Sequence, residues 1–217
     1  MNVLRMLAGP ALVAAAAFTF TAPAAAAQPA DESIILVAKP ALRDRLYRAT
    51  VLITRPFGRG EHIGFIVNKP TRMTLGKLFP NHEPSQKVVD PVYLGGPVNT
   101  GTIFALVQRP EAPGARTMQF MPDLHLVVDG EQVDRVIESE SSHARFFVGL
   151  VLWTSGELRA EIERGFWYVL DADTSLVLRK PTAGMWEELV KRLQKEEPKG
   201  IRTHAEPRDR LAAAGDR

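Results

Sequence analysis

Cysteine is absent from all 217 residues, which excludes thiol nucleophiles, thiolate zinc sites and a lipid-modified cysteine. Disulfides go with it, so the fold must rest on apolar burial, which suffices for a domain of this size. Histidine is sparse: the five, at 62, 82, 125, 143 and 204, include no two within a helical turn and no His-Glu-x-x-His pair. Neither a metal nor a cofactor is expected. The glycine fingerprints of nucleotide sites are also missing, as is the Gly-x-Ser-x-Gly nucleophile elbow. Gly96-Pro97-Val98-Asn99-Thr100-Gly101-Thr102 resembles a P-loop in outline, but no lysine follows its second glycine and Pro97 removes an amide donor. Ser141-Ser142-His143 sets a hydroxyl beside an imidazole, yet triads are assembled in space and adjacency says little. Basic residues interleaved with exposed aromatics, the mark of many nucleic-acid modules, do not occur.

Charge is scarce at the start. After Arg5, residues 6–30 are an uncharged run of 25 residues, with Pro23 breaking its second half and Ala25-Ala26-Ala27 offering a small-x-small cleavage site before Gln28. A basic n-region, an apolar stretch and such a site describe a cleavable leader over residues 1–27, exported and removed. Two readings stay open beside it: a retained anchor, which the run is long enough to permit, and a cytoplasmic protein with a misassigned start. Cleavage leaves no stable membrane insertion. The expected organisation is a leader (1–27), one domain (28–196) and a polar, disordered tail (197–217) containing Pro198, Gly200 and Pro207.

Elsewhere charge is plentiful but uneven. Between Ile34 and Lys77 stand nine basic residues, among them Arg43, Arg45, Arg48 and Lys69, against only Asp44 and Glu61. Asp123, Asp129, Glu131, Asp134, Glu138 and Glu140 gather later. Scattered arginines facing a separate acidic group suggest two halves that pair across one fold; a basic face for an anionic partner is the alternative.

Short β-branched runs bounded by Pro, Gly, Asn or Asp predict strands at 34–38, 50–54, 63–67, 92–94, 102–107, 124–128, 146–153, 167–170 and 175–178. Helical signals are fewer. Thr154-Ser155-Gly156-Glu157 reads as a capping box, with Leu158 and Ile162 one turn apart and Gly165 as a stop. Trp186, Leu189, Val190 and Leu193 form one apolar helix face, and residues 74–79 a short helix ended by Pro80. Strands in front and helices behind make the class α+β, in a single domain.

Four segments are more particular. Ile63-Gly64-Phe65-Ile66-Val67-Asn68-Lys69-Pro70 is followed 24 residues on by Leu94-Gly95-Gly96-Pro97-Val98. Ahead stands Ala38-Lys39-Pro40-Ala41-Leu42-Arg43-Asp44, and behind them Leu152-Trp153-Thr154-Ser155-Gly156-Glu157-Leu158. In content and order these resemble the YqgE/AlgH family of bacterial proteins. Leu152 stands where the family has glycine, Glu157 where it has glutamine, and Arg45 where proline usually follows the aspartate. The resemblance implies a bent mixed sheet folded toward a pseudo-barrel with a few flanking helices, and no assigned enzymatic activity. A transcriptional-regulator label also attaches to the family. Most members look cytoplasmic, and an exported member has no access to chromosomal DNA.

Asn68-Lys69-Pro70 and Gly95-Gly96-Pro97 each follow a predicted strand, so two turns at strand ends can frame a cleft. Asn68, Lys69 and the amides of Gly95 and Gly96 would meet an anionic or polar small ligand, or an envelope component, there. The plainer reading makes both segments turns that the sheet requires. Trp153 and Trp167 lie in apolar runs and read as core, with Trp153 also a candidate pocket wall. The expected function is therefore an exported, non-catalytic binding or accessory domain. A hydrolase assembled from Asp44 with dispersed His and Ser residues, and a cytoplasmic regulator, remain the alternatives.

Overall fold

All but one of the nine predicted strands fall in one ten-stranded sheet in the computed structural model, which describes residues 32–114 and 116–196. The leader and the tail lie outside the described residues. β1 (Ile34–Ala38), β2 (Val51–Phe57) and β3 (Glu61–Ile66) form an antiparallel meander, with β10 (Trp167–Asp171) on the free edge of β1. β9 (Ala144–Trp153) is the central strand. It pairs antiparallel with β3 and with β6 (Val98–Gln108), and parallel with β5 (Pro91–Leu94). β8 (Leu124–Val127) and β7 (Thr117–Met121) continue beyond β6, while β4 (Pro70–Thr74) pairs only with β5. The sheet is mixed, as expected, and strongly curled.

The bend has a local cause. The β6–β9 register shifts between Val98 and Ile103, and Gly149 stands opposite that shift at φ 70°, a left-handed conformation that glycine adopts without steric cost. The curl brings β7, at one end of the strand order, back over β1 and β2. There the Arg55 guanidinium donates to the carbonyl of Gln119, and the Ser33 hydroxyl to that of Phe120. Side chains, not a ladder, thus occupy the β7 edge.

Inside the curl, Ile35, Val37, Ile53, Phe65, Phe120 and Phe147 pack with α5 (Thr174–Leu178) and α6 (Met185–Glu196). The α6 face is the one its spacing predicts, with Leu189, Val190 and Leu193 buried and Met185 added. On the outer face, α4 (Glu157–Glu163) covers β1, β2 and β9. Its box closes by half: the Glu157 carboxylate accepts from the Thr154 amide and hydroxyl, each at 2.9 Å, and Gly165 follows the helix at φ 76°. α1 (Leu75–Leu78), capped by the Thr74 hydroxyl, confirms the short helix before Pro80.

Three local expectations change. Residues 175–178 form α5 rather than a strand, because the Asp173 carboxylate accepts from the Ser175 amide and hydroxyl and caps a helix there. β4 and β7 were not expected; β4 is largely polar and exposed, so it carries no apolar run to mark it. α3 (Gly130–Ser139) lies within the acidic group. Asp129 caps it, and Val133, Val136 and Ile137 bury a narrow stripe against β6 and β8. A short α2 (Glu83–Gln86) completes the α-helices of the described residues, and Ser141–His143 form one 3-10 turn before β9. None of these helices is long and apolar enough to cross a membrane.

Candidate functional site

The β1–β2 connection, residues 39–50, owes its shape to Asp44. Its carboxylate accepts from the amides of Leu46 (2.8 Å) and Tyr47 (2.9 Å), and its carbonyl from the Arg48 amide (2.9 Å). This tight turn leaves Arg43, Arg45 and Arg48 exposed while Leu46 and Tyr47 point inward. Tyr47 meets Trp167 edge-on at 6.2 Å, and burial, reinforced by Glu161, Asp44 and Glu157, pushes its hydroxyl up to about 12. It keeps its proton at neutral pH and so offers no phenolate base.

Asn68 and Lys69 hold this connection from below. The Asn68 side chain accepts from the Val51 amide (2.8 Å) and donates to the Ala49 carbonyl (2.9 Å), standing in for a strand partner where Ala49 adopts φ 55°. The Lys69 ammonium donates to the Leu46 carbonyl. Burial, with Arg48 nearby, lowers its pKa, and Asp44 acts the other way. Lys69 is thus a half-buried cation whose natural complement is an anion.

Above these residues lies a cleft of about 670 Å³. Its lining comes from the arginine turn with Lys39 and Lys69, and from Thr182, Trp186 and Glu187, where α6 begins. Trp186 is fixed by donating its indole N–H to the Ala38 carbonyl (2.7 Å), and Lys39 stands 4.5 Å above the Tyr168 ring. Arg145 ties together the chain segments that lead to Lys69 and to Thr182. Only 1% exposed, it donates to the carbonyls of Val67 (2.7 Å) and Arg179, with its guanidinium 4.4 Å from the Tyr93 ring. Burial lowers its pKa, with Tyr93 and Asp90 opposing. Sequence reasoning began that strand at Phe146 and missed it; an arginine abutting a long apolar run was the available signal.

The other sequence candidates lie elsewhere. Gly95 and Gly96 pack on β9 rather than lining the cleft. The Gly95 amide donates to Val148 and its carbonyl accepts from Ile66, so it is no free donor for a ligand. Trp153 is 3% exposed, and its indole N–H shares the Glu161 carboxylate with that of Trp167, at 3.0 and 2.9 Å. The structure therefore brings Asn68 and Lys69 together with the arginine turn, and leaves both glycines and Trp153 in the packing.

The two charged halves do not pair as expected. Among the described residues the acidic group's arginine partners are Arg109, bound to Glu140, and Arg116, bound to Asp129, each at 3.0 Å. Arg43, Arg45 and Arg48 have no ion-pair partner among the described residues.

Nucleophile–base geometry is poor. His82 Nδ1 lies 2.7 Å from Ser85 Oγ, with Glu138 3.9 Å from Nε2, beyond hydrogen-bond reach. Ser85 is fully buried, so its hydroxyl cannot meet a substrate. Ser142 and His143 touch at 3.1 Å on the surface, without a carboxylate to orient the ring among the described residues. No group of His, Asp and Glu among the described residues is arranged to hold a metal ion.

Fold and cleft together define a class: a one-domain α+β protein whose curled, half-barrel sheet carries a basic cleft at its strand ends. A family model described as DUF179, AlgH-like, matches residues 35–197. The chain belongs to the AlgH-like family. It is 31% identical over 161 residues to a UPF0301 protein of Chlorobaculum tepidum, covering 72% of this chain and 83% of that one. A UPF0301 protein of Saccharophagus degradans is 29% identical over 163 residues, covering 73% and 79%. In fold it is similar to the solution structure of the AlgH protein from Pseudomonas aeruginosa (TM-score 0.60, 21% identity, 77% of this chain and 94% of that one). A crystal structure of a Corynebacterium diphtheriae protein is similar to the same degree (TM-score 0.61, 22% identity, 76% and 87%).

Proposed function

We propose that this is a non-catalytic binding domain, exported by its leader, whose basic cleft receives an anionic ligand. The observation that carries the reading is the set of Arg43, Arg45 and Arg48 lining the cleft without carboxylate partners among the described residues. Arginines on a turn whose backbone Asp44 fixes can meet an anion through paired N–H donors, so the ordering cost of binding falls on their side chains and not on the loop. The closed Ser85–His82 contact and the surface position of Ser142–His143 favour binding over hydrolysis.

A thermal-shift panel of phosphate, sulfate, citrate and acidic sugars tests the binding half. Millimolar amounts of at least one should raise Tm, and Arg45→Ala with Arg48→Ala should remove the rise without lowering the unliganded Tm. A Tm that no anion moves sinks the reading.

Export rests on Arg5, the uncharged run to residue 30 and the alanines before Gln28. Fractionation followed by N-terminal sequencing should find a periplasmic protein beginning near Gln28. Cytosolic protein still carrying residues 1–27 would remove the envelope role and return the regulator alternative.

A further inference from the structure

We infer that the ligand of this cleft is a small phosphomonoester, its phosphate among Arg43, Arg45, Arg48 and Lys69 and its uncharged body directed along Leu42 and Trp186 toward Glu187. This rests on the anion-binding reading and narrows it. Charge is the first ground. The cleft's lining carries five cations, Lys39, Arg43, Arg45, Arg48 and Lys69, and one carboxylate, Glu187; Lys39 keeps its charge over the Tyr168 ring. Counting Asp44, which shapes the arginine turn, as a second carboxylate gives 5 − 2 = +3. A monoanion meets only a third of that charge, whereas a phosphate ester at neutral pH brings roughly −1.5 to −2.

Position is the second ground. The three arginines fall within residues 43–48, and Lys69 bonds the same turn through the Leu46 carbonyl, so the positive charge is concentrated at that turn. Glu187 comes from a different element, the first turn of α6. A dicarboxylate with separated charges would bring one of them toward Glu187. A compact dianion meets all the cations at once and leaves a neutral end, with hydroxyls that Glu187 can accept from. Size is the third ground: the 670 Å³ cleft exceeds what an inorganic ion fills and matches the range of pockets that enclose organic ligands. Leu42, Pro40 and the fixed Trp186 supply apolar wall for such a body.

Titration calorimetry on the mature protein distinguishes the sources of negative charge, using glucose 6-phosphate, AMP, glucose, adenosine, inorganic phosphate and succinate. At least one ester should bind about tenfold or more tighter than its dephosphorylated parent, than inorganic phosphate and than succinate, a gap of about 1.4 kcal/mol. Arg48→Ala should weaken that ester about tenfold with an unchanged unliganded Tm. Lowering the pH from about 7.5 to about 5.5, across the second phosphate pKa of about 6, should weaken it several-fold. The cleft's lining offers no histidine; its carboxylate is Glu187, with Asp44 in the arginine turn beside it, and Lys69 only gains its proton as pH falls, so the loss reports on the ligand. Succinate or inorganic phosphate binding as tightly as the esters, or affinity that ignores pH, overturns the inference and leaves an anion cleft standing. Silence from every anion removes both.

Discussion

Replacing Gly96 by alanine is expected to destabilise the protein by about 3 kcal/mol or more, one of the two largest losses foreseen for a single substitution. A Cβ at this position would stand 2.2 Å from the carbonyl carbon of Leu150, 2.3 Å from its oxygen and 2.6 Å from the Val151 nitrogen. These are backbone atoms of β9, held between β3, β5 and β6, and they cannot swing aside as a side-chain tip would. The approach is mutual, because a Cβ on Gly149 would lie 2.3 Å from the Gly96 carbonyl oxygen. Gly101, a few residues on, supplies the control. Nothing lies within 4 Å of its added Cβ, so Gly101→Ala should stay within about 0.5 kcal/mol of the parent. Urea denaturation of both variants checks the pair, and equal midpoints would refute the tight crossing of β9.

Phe65→Ala should cost roughly 3–5 kcal/mol. The ring is fully buried and sits among Phe147, Phe104 and Phe120, with centroids 5.0, 5.7 and 5.8 Å away. These come from β9, β6 and β7, so the β3 residue Phe65 joins both arms of the curl across its interior. Truncation removes apolar burial and opens a cavity that no single arm can close without moving the others. Phe65→Leu keeps most of the volume and should lose less than about 1.5 kcal/mol. A loss below about 1 kcal/mol for the alanine variant, by denaturant titration, would mean the two arms are not joined through this ring.

The contrast between these residues and the cleft shows what a sequence can carry. Strands such as Ile34–Ala38 and the stripe of α6 are legible because burial imposes a period that a single chain displays. Gly95-Gly96 was legible as a feature but not as a crossing, since the backbone it approaches lies some fifty residues away in sequence. Asn68 and Lys69 stood out as a turn, and their tie to residues 46–51 depends on strand pairing that no local pattern records. The arginines were visible as charge; that they lack acidic partners among the described residues emerges only when the acidic group is seen bound to Arg109 and Arg116. α3 was obscured by that same acidity, which outweighed a stripe of only three buried aliphatic residues.

The central claim is that the turn held by Asn68 and Lys69 presents its arginines to an anion. Backbone amide NMR of the mature protein, titrated with glucose 6-phosphate or citrate, measures this most directly. The account predicts saturable shifts confined to residues 39–49, Lys69 and residues 182–187, with the midpoint moved about tenfold higher in ligand by Arg48→Ala. Shifts centred on another face, or spectra that no anion perturbs, would contradict it.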